Sequence, residues 1–533
     1  MGTVVEKLSY LADTKDLFKD RLNSLGAEII ENTTFRNYLV WLDNFYINSL
    51  NKTDLSENGI VGRTSQDGNP TPENPVEIKN LRGDIEYKVR GKNLFDTSLL
   101  PLTKNGITIT KNDKGEIVID GTPNISSGYI TFQVGNTSTS ELTTYTSSID
   151  NKRDGLGVSI GNGNINLPMG ETYASKTFTF NYTFTINPTI NIRYDAGTFD
   201  NVVINPQLEK NTTKTDYEPY ISESFPLSLK SRNLFDKDNI NVISAYISGS
   251  GKISSAEVDK LIYIPCKPNT TYSLQKMSQE TTNYNRFRIG TTTDIPVLRM
   301  TVEDYFNAGD GSTLTNKTIT TGANANYLVF YCYREDTLTS FEDMISSIQI
   351  EEGSTATTYE PYYDIELCNI SDYKDRIYSQ NGEFYLGKKT GKVTLDGSEN
   401  YILYSVTGGN LFRNNDIGVS LNNISPISNY FIGVNGSGSR YDGTIYYNYS
   451  AVATHTTFDI LTSKFNNVED FKTWLSTHNT EVQYVLATSS TTEITQENYP
   501  TLYSQLLAIQ EFLTKYKINK EFLLDYSSQE IEY

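Results

Sequence analysis

The feature that most constrains this chain is an internal repeat. Residues 199–220 read FDNVVINPQLEKNTTKTDYEPY, and residues 341–362 read FEDMISSIQIEEGSTATTYEPY. The two align without gaps 142 positions apart, and nine of the 22 positions are identical. Their openings match too: Lys92-Asn-Leu-Phe-Asp96 and Arg232-Asn-Leu-Phe-Asp236 lie 140 positions apart. A common opening, a common closing and a common length between them describe two copies of one domain. The period is far too long for a solenoid, whose repeats run to about 20–50 residues. The two modules span about 84–222 and about 223–364. A third Asn-Leu-Phe at 410–412 opens a divergent module over 365–495, where Arg413 replaces the aspartate and no Tyr-Glu-Pro-Tyr follows. The length of 533 residues fits, since domains average about 150 residues.

Within the modules, apolar residues alternate. Ile107-Thr-Ile-Thr110 and Glu116-Ile-Val-Ile-Asp120 flank Lys111-Asn-Asp-Lys-Gly115, a hairpin signature. Residues 177–186 and 189–194 alternate in the same way. Abundant Tyr (38 residues), Thr, Asn and Ser favour strands and turns over helices. The expected fold is mainly β: tandem antiparallel β-sandwich modules, jelly-roll-like, flanked by short N- and C-terminal α-helices.

The helical ends carry apolar stripes. In residues 1–50, Val4, Leu8, Leu11, Lys15, Phe18, Leu22 and Leu25 follow a 4-3 spacing, a heptad seam with one polar break. A second stripe runs from Phe35 to Tyr46. In residues 496–533, Leu502, Leu506, Ile509 and Leu513 repeat the spacing behind Pro500. The plainer reading is that each helix buries its stripe within the chain. The sharper one makes Leu8, Leu11, Phe18, Leu22, Leu25, Leu502, Leu506, Ile509 and Leu513 oligomerisation or docking residues, because short helices make a thin core alone. Residues 51–83, polar and rich in Gly and Pro up to Pro75, read as a linker with lead-in strands.

The closing motif has a readable physics. Gln207-Leu-Glu209 and Gln349-Ile-Glu351 end a strand, and Asn211 and Gly353 tolerate the left-handed backbone of a following turn. Tyr217, Glu218 and Tyr220, like Tyr359, Glu360 and Tyr362, then fold back, and Pro219 and Pro361 stop further pairing. These residues read as a structural module closure; the alternative is that the tyrosines stack on a sugar ring. For ligand binding, one face of the strand 327–334 holds Tyr327, Val329, Tyr331 and Tyr333, with Arg334 following. Tyrosines on a half-exposed sheet face can stack on sugar C–H surfaces while their hydroxyls hydrogen-bond. The related strand of module one offers Asn191, Arg193 and Asp195. The alternative is that these faces pack against a neighbouring module or subunit. Cys332 falls on the opposite, apolar face with Leu328 and Phe330 and reads as a buried thiol.

The openings and closings resemble the jelly-roll, carbohydrate-binding-module-like domains of phage tail and baseplate adhesins. Gly68-Asn-Pro-Thr-Pro-Glu-Asn-Pro-Val-Glu-Ile78 is similar to the segment preceding such domains in phage minor tail proteins. Phe471-Lys-Thr-Trp-Leu-Ser-Thr-His-Asn479 with Val482-Gln-Tyr-Val-Leu-Ala-Thr488 is similar to a closing block of the same proteins. The resemblance covers roughly residues 60–495. It implies a virion protein: a tail fibre, receptor-binding or baseplate component, often homotrimeric, assembled in the host cytoplasm. The partners it implies are other tail or baseplate proteins and a host-surface polysaccharide.

Composition removes several other classes. The net charge of −19 argues against gripping phosphate backbones or anionic membrane surfaces, which takes clustered Lys and Arg. No stretch approaches the ~18 apolar residues of a membrane span, and the charged N-terminus lacks a signal-peptide core. Two histidines and three cysteines without CxxC spacing leave no multi-histidine or zinc site. Gly157-Val-Ser-Ile-Gly161 matches a nucleophile-elbow pattern, but strand and turn residues follow it instead of a helix. Gly249-Ser-Gly-Lys252 lacks the Ser or Thr of a phosphate loop. Lys152 spoils the acidic loop Asp150–Asp154 as a calcium site. No catalytic residue and no cofactor is expected, although a single structural calcium held by scattered loop carboxylates would leave no pattern. The expected function is non-enzymatic glycan recognition in a phage tail. The alternatives are a purely structural virion spacer and a polysaccharide depolymerase, which needs only two carboxylates.

Overall fold

The computed structural model describes residues 59–515 apart from 139–143, 152, 161–164, 168–173, 180–184, 277–285, 311–316, 335–339, 407–408, 415–423, 436–439 and 448–456. The N-terminal seam of Leu8, Leu11, Phe18, Leu22 and Leu25 lies outside these residues. Glu86–Pro226 forms one compact unit, and residues 59–85 with Leu227–Thr514 belong to a second. The described chain is mainly β and almost wholly antiparallel, apart from a two-residue parallel pairing of Ile432–Gly433 with Thr444–Tyr447.

The first unit holds module one. Strands β1 (Ile107–Lys111) and β2 (Ile117–Gly121) form the expected hairpin, with Ile109 opposite Ile119. They are followed by β3 (Tyr129–Gln133), β4 (Thr144–Asp150), β5 (Leu156–Ile160), β6 (Thr189–Arg193) and β7 (Phe199–Glu209). One sheet runs in the order Ala174–Thr179, β4, β7, β2, β1, Leu102–Lys104; the other runs Ile165–Leu167, β5, β6, β3. Period two does the sorting. In β6, Ile190 and Ile192 point into the core, and Thr189, Asn191 and Arg193 point out. Inward residues of both sheets meet in one core, among them Ile109, Ile119, Tyr145 and Leu208 from the first and Phe132, Val158, Ile190 and Ile192 from the second. Each such side chain contributes about 1.5–3 kcal/mol by leaving water. Two antiparallel sheets closing on one core make a sandwich.

Module two, in the second unit, contains β8 (Asn241–Ile247), β9 (Ile253–Pro265), β10 (Thr271–Lys276), β11 (Arg286–Thr292), β12 (Glu303–Asp310), β13 (Tyr327–Arg334), helix α1 (Phe341–Ile345) and β14 (Ile348–Glu352). Its sheets run Lys317–Thr320, β10, β14 and β8, β9, β13, β11, β12. The aligned repeat diverges here. Val202-Val-Ile204 continues β7 and supplies the edge on which β2 pairs, as β-branched residues favour. The aligned Phe-Glu-Asp-Met-Ile of module two forms α1 instead, and Glu and Met are good helix formers. Without that edge, the hairpin β8–β9 extends the opposite sheet through β9 and β13.

Module three pairs the long strands Glu383–Leu395 and Thr480–Ile494. A second five-stranded sheet runs from Tyr401–Val406 to Ile432–Gly433, and helix α2 (Val468–Leu475) buries Phe471 and Leu475 in the core. Asn467 caps α2 by accepting the Asp470 backbone N–H at 2.9 Å.

Two expectations need correcting. Residues 59–82 supply the expected lead-in strands, but the stretch is packed and does not run as a linker. Ile60 is fully buried and pairs opposite Ile377, and Thr64–Ser65 pairs with Lys79–Asn80. Gly62 lies so close to Cys368 that a Cβ would stand 2.2 Å from its carbonyl oxygen. The C-terminal seam likewise faces inward. Helix α3 (Pro500–Lys515) buries Leu502, Leu506 and Ile509 within the chain, and Leu513 is half-buried. Tyr503 meets Phe384 edge-on at 5.6 Å, and Gln505 Oε1 accepts the Ser228 backbone N–H at 2.8 Å. Those three residues are therefore core and not an oligomerisation surface.

Candidate functional site

The outer face of β3, β6 and β5 is an ordered polar surface. Antiparallel register sets its rows: Tyr129 opposite Arg193, Thr131 opposite Asn191, and Gln133 opposite Thr189, with Ser159 of β5 beyond Thr189. Successive rows lie about 7 Å apart, two residues along a strand. Tyr129 stands 58 % exposed at one end. In the middle, Asn191 accepts from Thr131 Oγ1 at 2.8 Å and donates to Ser159 Oγ at 3.1 Å. Gln133 Nε2 donates to Asn136 Oδ1 at 2.9 Å. Arg193 donates to Asp154 Oδ2 at 3.2 Å and to Asp195. Asp195, and after it Asp154, push the Arg193 guanidinium above its ordinary value. The three expected residues Asn191, Arg193 and Asp195 thus come together. Tyr129, Thr131 and Gln133 were missed, although Tyr-Ile-Thr-Phe-Gln alternates and puts them on one face.

The same position in module two is sealed. Register aligns Tyr327, Val329 and Tyr331 of β13 with Thr189, Asn191 and Arg193 of β6, since Leu328 and Phe330 face the core as Ile190 and Ile192 do. Val329 and Tyr331 are buried in a second apolar cluster with Ala245, Ile247, Ile253, Leu261 and Val302. The β8–β9 turn and the segment before β12 hold this cover in place: Val302 N donates to Gly251 O at 2.8 Å, and Ile253 N donates to Met300 O at 2.9 Å. Gly290 of β11 leaves room for it, as a Cβ there would meet Val302 Cγ1 at 2.0 Å. Tyr331 is 4 % exposed and donates its hydroxyl to Asp259 Oδ1 at 2.9 Å. The expectation of a half-exposed tyrosine therefore fails at Tyr331, while Tyr327 is half-buried: alternation put Tyr331 on a non-core face, but another segment covers it. Tyr333 and Arg334 belong to β13 by backbone; their side chains, with that of Cys332, lie outside the described residues.

The repeated openings and closings form one polar lock. Asn93 Nδ2 donates to Glu218 O at 2.8 Å and Pro206 O at 3.1 Å, while its Oδ1 accepts from Phe95 N and Leu208 N. Asn233 makes the same four bonds, to Glu360 O, Ile348 O, Phe235 N and Ile350 N. Buried Glu209 accepts from Thr215 N and Oγ1 at 2.9 and 2.7 Å, and Gln207 Oε1 accepts from Glu218 N at 2.8 Å. Glu351, Thr357, Gln349 and Glu360 repeat this arrangement. The tyrosines belong to it. Tyr217 donates to Gly115 O at 3.2 Å and Tyr359 to Ser346 O at 2.6 Å, with Tyr220 and Tyr362 half-buried beside them. Gly353 has φ +120°, but Asn211 does not use a left-handed backbone; its side chain accepts Thr212 N at 2.7 Å instead. In module three, Asn410 donates to Phe465 O at 2.9 Å, and the lock is not reproduced.

Other candidates resolve into structure. Ser159 sits within β5 and bonds to Thr189. Residues 249–252 are the β8–β9 turn. Among the described residues, no cluster of His, Cys, Asp and Glu is placed to hold a metal, and no helix is long and apolar enough to cross a membrane. Neither the family models nor the curated proteins contain a match to this chain.

Proposed function

We propose that this chain is a non-enzymatic phage virion protein of the tail or baseplate, of fibre or receptor-binding type, and that it recognises host-surface glycans. The recognition face is the outer face of β3, β6 and β5. The observation that carries this reading is the contrast between two topologically equivalent faces. Module one presents ordered amides and hydroxyls with an exposed tyrosine at the margin, whereas module two fills the same position with its own apolar residues. The resemblance of the openings and closings to phage adhesin modules supplies the setting, including other tail or baseplate proteins as partners and a homotrimeric assembly. The seam from Leu8 to Leu25 is the oligomerisation element, and weak single sites gain from multivalency.

The test is binding of the full chain to whole cells and to an array of envelope polysaccharides, with Tyr129→Ala alongside. Binding that Tyr129→Ala weakens supports the reading. Absence of any binding favours the spacer alternative, which the sealed face of module two already supports for that module. Release of reducing ends from a bound polysaccharide would favour the depolymerase.

A further inference from the structure

The recognition face carries enough chemistry to select a class of polymer. We infer that it takes a neutral, hydroxyl-rich polysaccharide and rejects polyanions; this rests on the reading of β3, β6 and β5 as a glycan-binding face. Holding a phosphate or uronate chain takes uncompensated guanidinium or ammonium groups, best as a bidentate arginine fork. Among the described residues three cations lie near it, and each donates to groups of the chain. Arg153, beside Asp154, bonds to Thr198 O at 2.9 Å and to Ala196 O. Arg193 is held between Asp154 and Asp195. Lys104 Nζ donates to Thr131 O at 3.3 Å. Two carboxylates flank Arg193, and both aspartates are more exposed than the arginine, with 73 % and 47 % of their side chains open against 32 %. An approaching anion therefore meets the carboxylates first, on a chain whose net charge is already −19.

The remaining groups suit sugar hydroxyls. An amide or hydroxyl both donates and accepts, as a sugar hydroxyl does. Thr131, Gln133, Asn191 and Thr189 form such a field; bonds among Thr131, Asn191, Thr189 and buried Ser159, and from Gln133 to Asn136 and Asn187, orient it before a ligand arrives. Tyr129 adds an exposed ring against which a pyranose C–H face can stack. Three rows at about 7 Å spacing suit an extended chain better than a single small molecule.

The experiment immobilises the full chain and compares dextran, mannan and galactan with polygalacturonate, hyaluronan and poly(glycerol phosphate) at low salt. At least one neutral polymer is expected to bind about ten-fold more tightly than any polyanion, and Tyr129→Ala or Gln133→Ala to weaken it by about five-fold or more. The double variant Asp154→Asn/Asp195→Asn is expected to raise polyanion binding several-fold, in a salt-sensitive way. Far-UV circular dichroism confirms that each surface variant is folded. Polyanion binding that Tyr129→Ala abolishes would overturn the neutral class and leave the glycan face standing. Neutral binding indifferent to both alanine variants would overturn the face. Failure of all six polymers and of whole cells would overturn the glycan reading itself.

Discussion

Module one carries β7 unbroken from Phe199 to Glu209, whereas module two spends the aligned residues on a helix and a five-residue strand. One local difference redirects a hairpin. In module one the hairpin after Asn-Leu-Phe-Asp pairs with β7 and leaves the opposite sheet's outer face open. In module two the hairpin joins the opposite sheet, and its turn helps to hold a cover over that face. The four bonds of Asn93, the bonds of Thr215 to Glu209 and the bond of Glu218 N to Gln207 meanwhile recur at Asn233, Thr357 and Glu360. Duplicated domains can therefore keep the buried polar groups that close the fold while one copy loses its exposed surface. An unsatisfied buried group costs about 1–3 kcal/mol, whereas an exposed face is free to change.

The largest expected effect tests that shared lock. Asn93→Ala and Asn233→Ala each leave several buried backbone groups without partners, so each should destabilise its own unit by about 3 kcal/mol or more. Urea unfolding, followed by a probe in each unit, measures this. Costs that differ by more than about 1 kcal/mol would break the equivalence of the two locks. Next in size is Gly290→Ala, which forces Val302 and the Glu303 carbonyl away from β11. Overpacking of this kind costs about 1–3 kcal/mol, and faster hydrogen exchange at Val302 and Ile253 N–H should show that the cover has lifted. Unchanged exchange there would mean that the cover does not depend on the glycine.

How much of this was legible in the sequence depends on what alternation can say. Period two identified the sandwich strands, the β1–β2 hairpin and the shared face of Asn191 and Arg193. It cannot say whether a remote segment lies over a face, and this is why Tyr331 looked available and is buried. The 4-3 spacing of Leu502, Leu506 and Ile509 marked a buried stripe correctly but not the surface that it meets, which belongs to the same chain. The lock was only half legible. The repeat singled out Gln207, Glu209 and their counterparts, yet the partnership of Asn93 with a carbonyl 125 positions away needed coordinates. Helix α1 was hidden because the five aligned residues are too few for propensity to outweigh tertiary context.

A crossed pair of tyrosine variants sharpens the functional half of the comparison. Tyr331→Phe removes the partner of buried Asp259 and should cost about 1–2 kcal/mol of stability, with glycan binding unchanged. Tyr129→Phe should leave stability within about 0.5 kcal/mol, as surface changes do. Tyr129→Ala should lower binding without lowering the melting temperature. Loss of binding in Tyr331→Phe with Tyr129→Ala silent would reverse the roles of the two faces.

The smallest effect separates the two closures by pH. Burial, and then Glu116, push the Tyr217 hydroxyl well above the ordinary tyrosine range. Burial raises Tyr359 too, but Lys237 opposes the shift. A tyrosine whose folded pKa lies above its unfolded value of about 10 contributes its full stability below that pH and loses it as pH rises toward the folded value. At neutral pH, Tyr217→Phe loses only the bond to Gly115 O, about 1 kcal/mol. As the pH passes 10, the wild type weakens while the phenylalanine variant does not, so the gap between them should close by somewhat under 1 kcal/mol near pH 11 after allowance for solvent screening. The gap for Tyr359→Phe should close less, because Lys237 favours the phenolate there. Unfolding measured from pH 9 to 11.5 on the wild type and the two variants, each variant read in its own unit, shows this directly. Equal slopes would mean that burial alone sets both hydroxyls and that the closures differ in no electrostatic respect.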